Sequence, residues 1–349
     1  MNPLPYRIES LRMRLREYGA KPCHEEKFLR GWSGAFSCKG MSFPGKLVEH
    51  LPEIESDLER LAKLRSIHPA AEGVARLLVE LSDGQFAESV LLPRGGLCVS
   101  TQVGCAVGCV FCMSGKGGLS RHLGSAEIVA QVVLARKIRH VSKVVFMGMG
   151  EPAHNLDNVI EAIAMLGKYG GIGHKNLVLS TVGDPRIFGR LPSEEVKPAL
   201  AISLHSSSDE LRRKLLPRAP GIPVAKLVEA AEDYARLTHY PTQYQWTLLE
   251  GINDGDDEMN GIVRLLSGKY AIMNFIPFNS AEGLEYERPS RERIVHAVGV
   301  LRNAGIAVRV RDSAGQEIEG ACGQLRARSG ATAREELREQ AQPPVDLLF

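Results

Sequence analysis

Three cysteines at spacing C-x3-C-x2-C, namely Cys105, Cys109 and Cys112, sit in a glycine-rich segment running from Gly104 to Gly115. Thiolates are soft donors suited to zinc or to iron–sulfur clusters, and three of them leave one coordination position for a further ligand. Structural zinc takes four protein ligands, commonly as two C-x2-C pairs, and no second pair accompanies this one. An odd count also fits poorly with a disulfide framework. The spacing therefore favours an open-site [4Fe-4S] cluster, with a zinc knuckle or plainly buried cysteines as the alternatives.

The bulk composition suits a chemistry-bearing globular chain. At 349 residues there is room for about two domains, or for one barrel with an extension. Hydrophobic residues make up 44% and charged residues 24%, ordinary values for a chain that can bury a full core. The net charge of +2 permits a nucleic-acid partner without arguing for one, because phosphate binding depends on local basic patches. Seven cysteines are too sparse for a disulfide scaffold. The start Met1-Asn2-Pro3-Leu4-Pro5-Tyr6-Arg7 lacks the apolar core of a signal peptide, and no apolar run approaches the ~18 residues of a membrane span. A cytoplasmic protein with reduced thiols and no membrane contact is expected.

The elements that must position the cysteines follow from periodicity. Residues 1 to about 70 read as helices, with Ile8, Leu11 and Leu15, then Leu51, Ile54, Leu58, Leu61 and Leu64, at helical spacing. Cys23 and Cys38 lie here as ordinary packing or surface thiols. The turn signal Ser82-Asp83-Gly84 between apolar runs predicts a hairpin of 74–79 with 86–92. From Leu97 onward strand and helix alternate: strands at 97–101, 143–147, 176–181, 198–204, 242–249, 271–277 and 307–310, and helices at 125–139, 156–168, 208–215, 223–238, 256–266 and 290–303. Ser125 is the expected N-cap of the first of these helices. About six to seven βα units predict an α/β fold, a partial (β/α)6-type barrel behind a small N-terminal helical domain. The expected boundaries are 1–73 for the helical domain, 74–96 for the hairpin and link, 97–325 for the barrel core, and 326–349 for a polar, loose tail.

In such a barrel the C-terminal strand ends build the active site. Those ends carry the cysteine loop, Gly148-Met149-Gly150-Glu151-Pro152, Ser180-Thr181-Val182-Gly183, Ser203-Leu204-His205-Ser206, Glu250-Gly251-Ile252-Asn253-Asp254 and Pro277-Phe278-Asn279. Together they suit a zwitterionic, nucleoside-bearing ligand. Gly150 lets the backbone approach an amino group closely, Glu151 and the serines suit ammonium or ribose hydroxyls, and Asn279 offers donor and acceptor. His205 reads equally well as a ligand contact or as a core histidine.

These residues resemble the radical-SAM RNA methyltransferases of the RlmN/Cfr type. The likeness runs through Cys98-Val99-Ser100-Thr101-Gln102-Val103-Gly104-Cys105, Phe146 to Pro152, Leu179-Ser180-Thr181, Ser203-Leu204-His205, Glu250 to Asp254, Ile276 to Asn279 and Ala321-Cys322-Gly323-Gln324-Leu325, in family order from about 75 to 325. The resemblance implies that Cys105, Cys109 and Cys112 hold a [4Fe-4S] cluster. Gly150, Glu151, Ser180, Ser203, Leu204, His205 and Asn279 fall at contacts to S-adenosylmethionine (SAM). Cys322 matches the cysteine that accepts a methyl group and bonds to RNA, Cys98 the resolving cysteine, and Glu88 the proton acceptor.

The implied reaction methylates an adenine ring carbon, C2 ahead of C8, in ribosomal or transfer RNA. Such a carbon is electron-poor and cannot attack a sulfonium methyl, so a radical route is required. One SAM methylates Cys322; a second is cleaved reductively, and its radical abstracts hydrogen from the S-methyl group. The carbon radical adds to the base, a proton leaves, and Cys98 frees the product as a disulfide with Cys322. Turnover then needs an electron donor, such as a flavodoxin-type reductant, and a thiol reductant; a monomer is the default. Candidate phosphate contacts are Arg212, Arg213, Lys214, Arg218, Arg309, Arg311, Arg326 and Arg328, with the N-terminal helices helping to select RNA. The competing readings are a radical-SAM enzyme with a non-RNA substrate and a zinc-stabilised RNA-binding module.

Overall fold

Short runs such as Lys-Val-Val-Phe and Leu-Val-Leu-Ser-Thr, apolar nearly throughout and separated by amphipathic helices, are suited to strands covered on both faces. The computed structural model describes residues 6–36, 42–311 and 318–326. Its elements in chain order are α1 (Ile8–Glu17), α2 (Pro22–Trp32), α3 (Gly45–Leu61), β1 (Ala62–Pro69), β2 (Ala75–Leu81), β3 (Phe86–Leu92), β4 (Gly96–Cys98), β5 (Gln102–Gly104), β6 (Leu119–His122), α4 (Ser125–Ile138) and β7 (Lys143–Phe146). There follow α5 (Leu156–Lys168), β8 (Leu177–Thr181), α6 (Pro185–Arg190), β9 (Ala199–Ser203), α7 (Asp209–Leu215), α8 (Val224–Thr238), β10 (Thr242–Leu248), α9 (Asp256–Leu266), β11 (Ala271–Pro277), α10 (Arg291–Asn303) and β12 (Ala307–Val310).

Ten strands form one sheet in the order β1-β2-β3-β4-β7-β8-β9-β10-β11-β12. From β4 to β12 every neighbouring pair is parallel. Residues from β4, β7, β8, β9, β10 and β11 all line one cavity, so the sheet curls round it as an open barrel. The expected partial α/β barrel is therefore the fold. β1, β2 and β3 continue it as antiparallel strands, with Val90 of β3 opposite Cys98 of β4.

Three local expectations need correction. The first is the helical reading through residue 70, because α3 stops at Leu61 and Ala62–Pro69 is a strand paired with β2 from Ala62↔Leu81 to Pro69↔Ala75. Its side chains alternate buried and outward, and edge pairing to β2 decides what the helical spacing of Leu61 and Leu64 left ambiguous. Second, Ser125 is the first helical residue rather than the cap. The Gly124 amide donates to the Glu127 carboxylate (2.8 Å), which frees the Ser125 hydroxyl to accept from the Ile8 amide (2.9 Å) and to donate to Glu161 (2.6 Å). Third, α6 is additional; Asp184 caps it, accepting from the Arg186 amide (2.9 Å), with Pro185 in its first turn.

The helices α1–α3 share the barrel's core: Ile8, Leu11, Leu15 and Leu29 are in one cluster with Val129, Ile163 and the strand residues. Arg136 of α4 fastens this layer, donating to Ser33 O (2.8 Å) and Gly170 O (2.7 Å).

The cysteine loop hangs from a small antiparallel ribbon of β5 with β6. Gly104, between that ribbon and Cys105, has φ +78°, and a Cβ there would lie 2.0 Å from Gly118 O. A left-handed conformation alone costs a non-glycine residue about 1–2 kcal/mol. Gly104→Ala is expected to destabilise the protein by at least that much and to lower its iron content after anaerobic reconstitution. Urea denaturation with iron analysis checks both; unchanged stability and iron would show that the ribbon does not set the loop.

Candidate functional site

A parallel barrel delivers the C-terminal ends of its strands, and whatever follows them, to one rim. Here the rim surrounds a cavity of about 850 Å³. Its lining brings together Cys98, Cys105, Cys109, Cys112, Gly150, Glu151, Ser180, Ser203, His205 and Cys322 from six separate chain segments. Leu204 is buried just behind, its amide donating to Gln245 O (3.0 Å). Asn279 is also buried and donates from Nδ2 to Cys322 O (3.0 Å).

Burial dominates the thiol electrostatics. The Cys105 thiol is pushed up to about 12 by burial, with hydrogen bonding from the Val107 and Gly108 backbone opposing and Cys112 and Glu151 adding to the rise. Burial raises Cys109 as well, with Cys112 and Cys105 next in effect. It raises Cys112 too, against donors at Ser114 and Gly115. The loop's thiols thus sense one another while backbone amides stand ready to stabilise their ionised forms. They border the cavity rather than meeting at a point: among the described residues no three His, Cys, Asp or Glu side chains converge on a single-ion site.

Cys98 and Cys322 share the same cavity wall and are both free thiols. Burial lifts Cys98 to about 12, with Cys322 the next contribution. Burial lifts Cys322 to about 11, raised further by Cys112 and lowered by Arg311. The Cys322 sulfur is accessible from the cavity although protein atoms surround it closely.

The segment 318–326 is bolted down on several sides. Met113 N donates to Gly323 O (2.7 Å), Ser114 Oγ to Leu325 O (2.6 Å) and Gln324 Nε2 to Ser280 O (2.8 Å). Arg76 Nε donates to Ile318 O (2.7 Å), and Arg326 N to Glu88 Oε2 (2.9 Å). Glu88 itself is fully buried in β3 and ion-paired with Arg76. It ties the hairpin to the Cys322 segment from behind and does not line the cavity.

Other predicted residues have definite places. Glu151 is buried; Oε1 accepts from Thr181 Oγ1 and Ala153 N, and Oε2 from Val182 N (3.0 Å). Burial nevertheless raises its carboxyl to about 7. Gly150 has φ +109°, and a Cβ would press on the Gln102 side chain at 2.8 Å, so packing already demands glycine there. His205 is a buried histidine satisfied by backbone, its Nδ1 accepting from Thr247 N (2.9 Å), and it also lines the cavity. Burial, then Arg212, lower it to about 3, so the ring is neutral with its proton on Nε2. Among the basic candidates Arg212 is buried and donates to Val182 O and Ser203 O, which makes it a brace rather than a phosphate contact. Lys214 pairs with Glu210 and Arg326 with Glu319. Arg213, Arg218 and Arg309 are exposed, and Arg328 lies outside the described residues, as do Cys38 and the tail from residue 327.

Two residues that the sequence placed only within longer segments, with no role of their own, position the site. Asn253 donates to His205 O and Thr247 O (both 2.8 Å) and accepts from Leu249 N (2.8 Å), pinning the ends of β9 and β10. Gln102 Oε1 accepts from Glu151 N (2.8 Å). The polar alternation Gln243, Gln245, Thr247 in β10 was the available signal for a wet inner face.

The Radical SAM superfamily model matches residues 99–263. A probable RNA methyltransferase of Methylibium petroleiphilum is 62% identical over 94% of this chain and 95% of its own length. One of Pseudomonas aeruginosa is 61% identical over 93% and 96%. The chain belongs to the radical-SAM RNA methyltransferases. A crystal structure of a radical SAM methyltransferase from Sphaerobacter thermophilus superposes on this member with a TM-score of 0.80 at 32% identity, covering 92% of this chain and 97% of that one. Among the described residues of this methyltransferase no helix is long and apolar enough to cross a membrane.

His205 and Glu151 oppose one another in pH dependence. With a folded value of about 3 against 6.5, His205 contributes stability above pH 6.5 that is lost on acidification. With about 7 against 4.5, Glu151 contributes stability below pH 4.5 that is lost as pH rises through 7. Between pH 7 and 5 each amounts to about 2 kcal/mol, of opposite sign. In cluster-free protein His205→Gln is expected to gain stability over that interval and Glu151→Gln to lose it, relative to a flatter wild type. Urea denaturation at the two pH values decides; parallel behaviour of all three would refute the assignment.

Proposed function

We propose that this radical-SAM RNA methyltransferase methylates an adenine ring carbon, C2 rather than C8, in ribosomal or transfer RNA through a methyl group carried on Cys322. The observation that carries the reading is the joint presence of Cys98, Cys322 and the three loop cysteines on one cavity. Methyl transfer by simple displacement needs no such set, whereas a covalent RNA adduct needs a second thiol to release it.

The donor set fits an iron–sulfur cluster: three soft, buried sulfurs with backbone amides aimed at them, held by Cys105, Cys109 and Cys112. Glu151, Ser180, Ser203, Leu204, His205, Gly150 and Asn279 would hold SAM beside it. Bound together, the cluster and SAM supply a 5′-deoxyadenosyl radical. The protein's own part is positional. Cys322 keeps its sulfur open to the cavity while six hydrogen bonds to segment 318–326 fix its direction. Glu88, expected from the resemblance to be the proton acceptor, lies behind the cavity wall, paired with Arg76 and the Arg326 amide, and its part here is to hold the Cys322 segment in place. Cys98, already beside Cys322, closes the disulfide that frees the product. A flavodoxin-type electron donor and a thiol reductant complete turnover in the cytoplasm, and the protein acts as a monomer whose N-terminal region (1–73) contacts RNA.

The test is digestion and mass spectrometry of total RNA nucleosides from cells with and without the gene, the isomer set against C2 and C8 standards. Loss of 2-methyladenosine is expected, restored by wild type and not by Cys322→Ala. Cys98→Ala is expected to accumulate a protein–RNA adduct resistant to denaturant. An unchanged nucleoside profile, or full activity of Cys322→Ala, would overturn the reading.

A further inference from the structure

The cavity floor carries polar atoms that the protein itself leaves without partners. Ser203 on β9, Gln245 on β10 and Asn274 on β11 are register partners, so they share one face of the sheet at one height. Ser203 and Gln245 line the cavity, as does Ile276 two residues beyond Asn274 on the same strand. Alternation therefore turns Asn274 toward the same interior. Asn274 is fully buried, and neither its Oδ1 nor its Nδ2 has a hydrogen-bond partner. Gln245 is also buried; its Nε2 reaches Gln243 O at 3.4 Å and its Oε1 has no partner.

Buried polar atoms are paired in the great majority of cases, and an isolated one is costly. Three on adjacent side chains, Gln245 at the cavity wall and Asn274 covered beside it in register, form a ligand-reading surface rather than a packing accident. Its place limits the ligand. One end of the row is Ser203, assigned above to SAM. The other faces β12, where Asn274 lies opposite Arg309 and Arg311 lines the cavity beside Cys322. A group seated over Gln245 and Asn274 thus lies between SAM and Cys322, where the target base must lie.

We propose that Asn274 and Gln245 are specificity-determining residues that grip the Hoogsteen edge of the target adenine. This rests on the reading of the protein as an adenine-carbon methyltransferase. An asparagine amide matches that edge in two bonds, Nδ2 donating to N7 and Oδ1 accepting from the N6 amino group. Gln245 Oε1 takes the remaining N6 proton. Guanine keeps the N7 acceptor but puts O6 where the N6 amino group stood, which leaves both side-chain oxygens facing an acceptor without a proton. With N6 and N7 on the floor, C2 lies on the far side of the ring, toward Cys322. C8, bonded to N7, is held down against Asn274. The floor therefore selects adenine and selects C2.

The experiment uses reconstituted holoenzyme and a synthetic RNA spanning the methylated adenosine, made with adenine or with 7-deazaadenine at that position. Single-turnover methyl transfer, RNA affinity and thermal unfolding are measured for wild type, Asn274→Leu and Gln245→Leu. Asn274→Leu is expected to lower transfer to adenine RNA by roughly 10- to 100-fold, the weight of a bidentate amide–base pair. 7-Deazaadenine is expected to slow wild type but to slow Asn274→Leu no further. The melting temperature of Asn274→Leu is expected to equal or exceed that of wild type, since the replaced amide has no partner. Multiplying losses, a wild-type rate in Asn274→Leu, a lowered melting temperature with equal loss on both RNAs, or 8-methyladenosine as product would each overturn the proposal. A wild-type enzyme that methylates no adenosine in total tRNA or rRNA would overturn the RNA reading itself, and this inference with it.

Discussion

A carboxylate with no exposure to solvent has to be paired, and the pairing of Glu88 holds the site together. One oxygen is met by Arg76 on the neighbouring strand and the other by the amide of Arg326, while the same arginine holds the carbonyl of Ile318. The β2–β3 hairpin and the 318–326 segment, more than 200 residues apart in sequence, are thus joined at one charge. Removing either partner leaves a buried charge uncompensated, a loss of about 3–5 kcal/mol where it has been measured in other proteins. The geometry that sets Cys322 opposite Cys98 depends on this knot, because the preceding strand β12 is a sheet edge with one neighbour.

Burial has a second consequence for the cysteine loop. A thiol held near 12 costs about 7 kcal/mol to ionise at pH 7. Binding a thiophilic metal group displaces that proton, so ligation is coupled to proton release. The balance favours thiols in the free loop and thiolates only when a thiophilic group is delivered. The amides of Val107, Gly108, Ser114 and Gly115 lower that ionisation cost without adding charge, which leaves the cavity's net charge to the ligands. Arg212, buried near Cys109, is a cation that favours the thiolate there as well.

Much of this was legible from residue pattern alone because parallel strands under helices are apolar on both faces and short. Strand Ala271–Pro277 and helix 256–266 fall where periodicity puts them. The failures have physical reasons. Ala62–Pro69 follows a helix whose apolar spacing runs on in register, and only its partner β2 makes it a strand. Ser125 has a capping side chain, but the helix begins at it with Gly124 as the cap position, and its hydroxyl is taken by the Ile8 amide and Glu161. Arg212 looked like part of a basic helix face, yet the turn from β9 into α7 carries it inward to two carbonyls. The inner row of Ser203, Gln245 and Asn274 is invisible until register is known, because no local spacing relates residues 203, 245 and 274. The loop cysteines stood out because their spacing is local; Cys322 reaches the same cavity wall as Cys98 only through the fold.

The N-terminal helices raise the question of how RNA selection and chemistry stay aligned. A tethered module would let a bound RNA sample many orientations over the cavity. Here Glu161 accepts from Glu9 N (2.7 Å), Arg7 and Ser125, so α1, α4 and α5 meet at one carboxylate. Arg14 and Asp57 form a buried pair between α1 and α3, and the apolar faces of all three helices continue the barrel core. Helices locked in this way move with the barrel as one body. On the proposed reading, an RNA held by these helices is presented to the cavity in a fixed orientation, and the ordering entropy is lost once, at binding, rather than again at the chemical step.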